Sequence, residues 1–214
     1  MERMDDFFEA RVLGYDAHML ENVPGCAEGY EKMAELLPES TKALLDLGCG
    51  TGLELERIFT RFPDLAVTGI DLTKAMLEML ESKFGGKDLR LIHGSYFDVD
   101  FGKKQYDAAV SFETMHHFTQ EKKQGLYTRL CEALKPGGIY IECDYMVLTD
   151  EEEDHWFAEN SQIRRELGIP EDEFYHYDTP LTVAHQIDAL QESGFSEVRM
   201  VWRKENTTII TAQK

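Results

Sequence analysis

No Cys-x-x-Cys pair occurs in this chain of 214 residues, whose four cysteines, Cys26, Cys49, Cys131 and Cys143, lie far apart. That spacing argues against a zinc site and against a disulfide framework, and leaves reduced thiols as the simplest state. Basic residues are scarce as well. Lys and Arg number 22 against 41 Asp and Glu, a formal net charge of −19, and no basic run is set apart from the rest. The field of the whole protein therefore repels polyanions, and nucleic acid is an unfavoured partner. No apolar run reaches membrane-spanning length, and the opening MERMDDFFEARV has neither a signal core nor a transit-peptide composition. A soluble, cytoplasmic protein with no membrane partner is expected. Internal repeats and low-complexity linkers are absent too, and 43% hydrophobic residues suffice for the core of one domain.

What is present is an alternation of strand and helix signals. Residues 1 to 37 read as helical, with Phe8, Val12, Tyr15 and Met19 on one stripe, a break at Asn22-Val23-Pro24-Gly25, and a second segment around Tyr30, Met33 and Leu37. From Lys42 onward, buried-strand patterns at 42–48, 65–71, 89–94, 106–112 and 137–147 alternate with apolar helical stripes. Those stripes are Leu55, Ile58, Phe59 and Phe62, then Met76, Leu80 and Phe84, then Leu126, Leu130, Ala133 and Leu134. Such alternation predicts an α/β doubly wound, mostly parallel sheet with helices on both faces. The last third departs from it. Thr149 and Glu152 have capping-box spacing, so the acidic run at 150–154 reads as a solvated helix start. A helix is expected from Thr179-Pro180 to Gly194, and two strands joined by Lys204-Glu205-Asn206 close the chain as an antiparallel hairpin.

The first strand runs into Gly48, Gly50 and Gly52. A glycine turn between strand and helix gathers backbone N–H groups and a positive helix end at one point, where a ligand can touch the main chain. The spacing G-x-G-x-G puts Leu53 where a dinucleotide fingerprint needs glycine, which counts against a nicotinamide cofactor, and no Walker lysine follows. Asp71 ends the next strand about twenty residues on, where a carboxylate can accept hydrogen bonds from both hydroxyls of a ribose.

In order and approximate spacing, LLDLGCGTG, GIDLTKAML, LIHGSYFDVDF, YDAAVSFETMHHF and EALKPGGIYI, spanning Leu44 to Val147, resemble the class I S-adenosylmethionine-dependent methyltransferases. The resemblance implies a Rossmann-like sheet of seven strands with an antiparallel last strand, and S-adenosyl-L-methionine as cofactor. It implies that Asp46 and the loop Gly48, Cys49, Gly50 and Gly52 lie under the methionine part, and that Asp71 holds the ribose. Leu72 and Met76 would line the adenosine, Ser95 and Tyr96 would flank adenine, and Phe112 would border the methionine moiety through its backbone. Many members carry an acid where this chain has Ser95, whose hydroxyl can still accept from the adenine amino group. The expected layout is a single domain over 1–214: an N-terminal helical lid at 1–37 that brings Tyr15 to the cofactor, a core at 42–147, a pocket insert at 148–180, and a closing helix and hairpin at 181–214.

Methyl transfer from a sulfonium asks the protein to position the acceptor and, for hydroxyl acceptors, to remove a proton. No Asn-Pro-Pro-Tyr or Asp-Pro-Pro-Tyr stretch follows the fourth strand, where amino-directed enzymes acting on macromolecules often carry one. A small-molecule acceptor is therefore expected, with a tRNA-modifying enzyme or a catalytically silent cofactor-binding protein as alternatives. His116 falls where the resemblance to small-molecule O-methyltransferases implies a general base. His93 reads as structural, and no metal ligands are expected, since His18, His155, His176 and His185 have no partner spacing.

Overall fold

The computed structural model describes residues 1–170 and 173–214; Glu171 and Asp172, inside the insert expected at 148–180, lie outside the described residues. Seven strands form one sheet: β1 (Ala43–Leu47), β2 (Ala66–Asp71), β3 (Leu89–His93), β4 (Tyr106–Phe112), β5 (Leu134–Tyr145), β6 (Ser196–Lys204) and β7 (Thr207–Gln213). Their order is β3-β2-β1-β4-β5-β7-β6. The first five pair in parallel, and β7 runs antiparallel between β5 and β6. The chain builds outward from β1 to β3 and then returns to place β4 on the other side of β1. The reversal opens a crevice beyond the carboxyl ends of β1 and β4, where ligands of such sheets bind.

Helices cover both faces because the central strands are buried on both. On one face, α3 (Cys26–Leu36), α4 (Leu53–Arg61) and α5 (Lys74–Phe84) bury Tyr30, Met33, Leu55, Ile58, Leu77 and Leu80 against Leu44, Val67 and Val110. On the other, α6 (Gln120–Ala133) and α8 (Val183–Glu192) bury Leu126, Leu130, Ala189 and Leu190 against Leu45, Tyr140 and Ile210. Each fully buried side chain of this size contributes about 1.5–3 kcal/mol. The capping box of Thr149 and Glu152 forms as expected and starts α7 (Asp150–Leu167). The helix expected from Thr179 begins later. Leu181 and Thr182 run beside Val147, and Thr182 caps α8 by accepting from the His185 N–H. No described helix is long and apolar enough to cross a membrane.

The N-terminal stripe is interrupted once more than its spacing suggests. It divides at Ala10-Arg11 into α1 (Met4–Glu9) and α2 (Val12–Asn22). The bend lets α1 lie against the segment after α7, where Met4 N–H donates to the Phe174 carbonyl and His176 N–H to that of Glu2. The docking of α2 rests on Asp16, which accepts from the Thr51 hydroxyl in the glycine loop and pairs with Lys83 of α5. Removing that carboxylate frees α2 at a cost of about 1.5–3 kcal/mol. Asp16→Ala should therefore raise hydrogen exchange at α2 amides by tenfold or more while strands β1 to β5 keep their protection; unchanged exchange in α2 would show that Asp16 does not hold it.

Candidate active site

Three consecutive sequence signals meet beyond β1 and β2. Gly48, Gly50 and Gly52 all have positive φ, at 70°, 46° and 77°, as the turn requires. At Gly48 the approach is also too close for a side chain, because a Cβ there would lie 2.6 Å from Thr114 Oγ1 across the crevice. Asp71 holds the loop from the neighbouring strand: Gly50 N–H donates to Oδ2 at 2.9 Å and Thr73 N–H to Oδ1 at 2.8 Å. Each oxygen keeps a lone pair for a further donor. Leu72, Ser95 and Tyr96 line a narrow cleft with Asp71 and Gly48. Its volume of about 50 Å³ suits a few waters and no nucleoside, because Met4 and Phe8 of α1 also line it.

Phe8 also borders a second, larger cavity of about 740 Å³. Tyr15 lines that cavity and stands over the loop, 3.8 Å from where a Gly50 Cβ would be. Cys49, Met76 and Phe112 line neither space: Cys49 packs on Gly69, Phe112 stacks on Tyr30 at 4.0 Å between ring centroids, and Met76 is buried in α5. The expected pocket wall is also redistributed. Trp156 of α7 meets Tyr145 and Tyr177 edge-on, whereas Tyr145, His176 and Asp178 themselves face the cavity.

His116 sits in a short 3-10 turn, Met115–His117, after β4. Its Nδ1 lies 2.6 Å from Asp144 Oδ1 near the end of β5, and its Nε2 lies 3.5 Å from Asp178 Oδ1. Thr179 N–H donates to the His116 carbonyl at 2.6 Å and keeps Asp178 in place. Asp144, Asp178 and Glu113 were not singled out by sequence. Asp144 reads as one more residue of a buried strand, and Asp178 lies sixty residues downstream in an irregular segment. Glu113 carried one unused signal, its place at the end of β4, and it has a positive φ of 47°.

Charge is unevenly balanced here. Both oxygens of Asp46 and one of Glu113 are buried without a partner. Burial, aided by the charge of Glu54, raises Asp46 well above the carboxylate range, and burial raises Glu54 to about 7. Asp71 rises to about 6 by burial against the pull of the Thr73 and Gly50 N–H groups. Glu113 rises to about 8, since burial and the charges of Asp144 and Asp178 outweigh the pull of His116. Burial pushes the His116 imidazole down, but Asp144 and then Asp178 and Glu113 carry it well above its usual value. Burial and His116 together hold His117 well below. The glycine loop, the buried unpartnered carboxylate of Asp46 near the end of β1 and the loop-bound carboxylate of Asp71 at the end of β2 suit a ligand that carries positive charge and hydroxyl donors.

Fold and site together define an α/β enzyme that uses such a cofactor. Residues 44–138 match the family model described as a methyltransferase domain. Over 97% of its length the chain is 24% identical to the carboxy-S-adenosyl-L-methionine synthase of Campylobacter lari, covering 94% of that protein, and 29% identical to that of Wolinella succinogenes, covering 92%. The fold matches human N-acetylserotonin methyltransferase in complex with S-adenosylmethionine at a TM-score of 0.69 and 16% identity, over 96% of this chain and 56% of that one. The matched domain and the relatives aligned along nearly their whole length support a class I S-adenosylmethionine-dependent methyltransferase with S-adenosylmethionine as cofactor.

The buried acids make stability depend on pH. Glu54 and Glu113 bind their protons more tightly folded than unfolded, as do His116 and Glu142, which burial and Asp144 raise to about 7. The stability these protonated groups contribute is fully present below their unfolded values and is lost progressively as pH rises to their folded ones, so above pH 7 the remaining loss comes from Glu113 and His116. Asp178, held low by His116, stays ionised in this range, and the depressed His117 and His176 are neutral in both states above about pH 7. The melting temperature without ligand should therefore fall by several degrees between about pH 7 and pH 8.5, as read by scanning calorimetry; a flat or rising curve would contradict these proton assignments.

Proposed function

We propose that this chain transfers the methyl group of S-adenosylmethionine to a small-molecule acceptor in the 740 Å³ cavity, with His116 at the reacting end. The supporting observation is that Phe8 lines both spaces, so the cavity adjoins the cleft assigned here to the cofactor. Such a volume falls in the range of small-molecule sites, and a net charge of −19 disfavours a tRNA. Two relatives aligned along nearly their whole length are carboxy-S-adenosyl-L-methionine synthases; an added carboxylate there would call for a free cation. Here the cavity presents Glu113, Asp178 and Glu205, while its Arg11 is already paired with Glu2 and stacked on Phe7. That balance supports a methyl donor over a carboxylated one.

The bound cofactor supplies an activated methyl group and a neutral leaving group. Asp71 accepts from the ribose hydroxyls, Asp46 and the Gly48–Gly52 loop underlie the methionine part, and Leu72, Ser95 and Tyr96 surround the base. Met4 and Phe8 must withdraw to make room, which assigns α1 and α2 the part of a lid, with Tyr15 closing over the loop. Asp144 fixes the His116 ring through Nδ1 and leaves Nε2 on the cavity side to take the acceptor's proton. Because its carboxylate neighbours favour the protonated ring, the acidic limb of the rate should lie above neutrality.

Asp71→Ala should lower affinity for S-adenosylhomocysteine by ten- to a thousandfold without unfolding the protein, as measured by calorimetric titration; an unchanged dissociation constant removes Asp71 from the ribose site. His116→Gln should keep that affinity within a few-fold while slowing turnover by roughly a hundredfold or more, once a metabolite screen for a mass gain of one methyl has identified an acceptor. An active variant with an unshifted pH profile would reduce His116 to a structural residue.

A further inference from the structure

We infer that His116, His117 and Asp178 form a zinc site on the wall of the cavity. His116 Nε2 and His117 Nδ1 each lie 3.5 Å from Asp178 Oδ1, the two imidazole rings are 4.0 Å apart between centroids, and all three ligand atoms fall within 4.8 Å of one another. Zinc bound tetrahedrally at about 2.1 Å from nitrogen and oxygen ligands sets those ligands about 3.4 Å apart. The two measured edges have that length before any ion draws the groups together.

The neighbours of His116 support it as a metal centre requires, and zinc at His117 Nδ1 would displace the contact which that nitrogen makes with the Tyr177 carbonyl at 3.3 Å. Asp144 Oδ1, 2.6 Å from His116 Nδ1, holds the proton on that nitrogen and turns the Nε2 lone pair toward Asp178, which is the carboxylate–histidine–metal arrangement. Thr179 anchors the Asp178 backbone to the His116 carbonyl through its N–H and its hydroxyl. Glu113 stands on the far side of His116, 3.7 Å from Nδ1, with its other oxygen buried and unpartnered. With Glu113 protonated, Asp144 and Asp178 carry two negative charges, and a dication that displaces the proton of His116 balances both. Three protein ligands leave a fourth position, and all three side chains line the cavity, so that position is open to a water or an acceptor oxygen, as in catalytic rather than structural zinc sites. An oxygen bound there loses its proton near neutral pH; the ion would then take over from the imidazole the task assigned to it above, with that proton passing to solvent. The donors are nitrogen and oxygen only, since all four cysteines are buried elsewhere.

Zinc chloride titrated calorimetrically into chelator-treated protein tests this without cofactor or acceptor, so the outcome is separate from that of the methyl-transfer reading. One equivalent should bind. His117→Ala and Asp178→Ala should each weaken binding by more than a hundredfold, and Asp144→Asn by about ten- to a hundredfold. His155→Ala, on the exposed face of α7, should leave it unchanged. Retained affinity of the variants for S-adenosylhomocysteine shows that they are folded. Cobalt(II) in place of zinc should give the intense visible absorption of four-coordinate geometry. Absence of stoichiometric binding, a weak six-coordinate cobalt spectrum, or binding that survives Asp178→Ala in folded protein would each overturn the site.

Discussion

Negative charge buried at the carboxyl edge of the sheet is the constraint on which the site depends. β1 carries Asp46 one residue before its end, β2 ends at Asp71, β4 is followed by Glu113, and β5 carries Asp144 one residue before its end. Four parallel strands thus deliver four carboxylates to one edge, and among the described residues the cations beside them are few: Lys83 reaches Asp16 at the side of the loop, and His116 lies between Asp144 and Asp178. Like charges brought together in a buried place oppose ionisation, so several of these acids hold protons in the free protein. A ligand bearing positive charge relieves that opposition. The sulfonium and ammonium groups of the cofactor are of this kind, and so is the metal ion inferred above.

The carboxylate of Asp71 shows how such a group also organises the fold. It spans from β2 to the glycine loop after β1 and to the start of α5, meeting one N–H from each. The loop therefore keeps its left-handed glycines without side chains of its own to hold it. Gly48 contributes by what it lacks, allowing the Thr114 side chain of the opposite strand end to close the crevice. Tyr96 in turn reaches Thr114 through its hydroxyl, at 3.1 Å from Oγ1, joining the Ser95-Tyr96 side of the cleft to the β4 turn that bears His116.

A second buried network runs along the same face of β5. Lys123 donates to Gln186, Gln186 to the Tyr127 hydroxyl, and Tyr127 and Tyr140 both to Glu142. Glu142 and Asp144 are two residues apart on one strand and so share a face. The acid that holds His116 is consequently set in a strand pinned by α6 and α8 through hydrogen bonds, which keeps its position independent of the lid.

How much of this was legible in the sequence follows from the range of the interactions. The strand and helix alternation, the glycine turn, Asp71 and the capping box at Thr149 depend on neighbours a few residues away or on a repeated periodicity, and they could be read from the chain; so could the reversed last strand, through the family resemblance. The break at Ala10-Arg11 and the start of α8 at Thr182 could not, because docking of α1 on residues 174–176 and of Leu181 beside Val147 decided them. The same holds for the surroundings of His116. Its neighbour His117 is adjacent in sequence, but Asp144 and Asp178 arrive from 28 and 62 residues further on, through a strand register and an irregular segment that no local pattern encodes. Sequence by itself determined the fold and the cofactor, and pointed to His116. Only the tertiary structure decided what charge surrounds that histidine, because burial and electrostatic fields depend on separation in space.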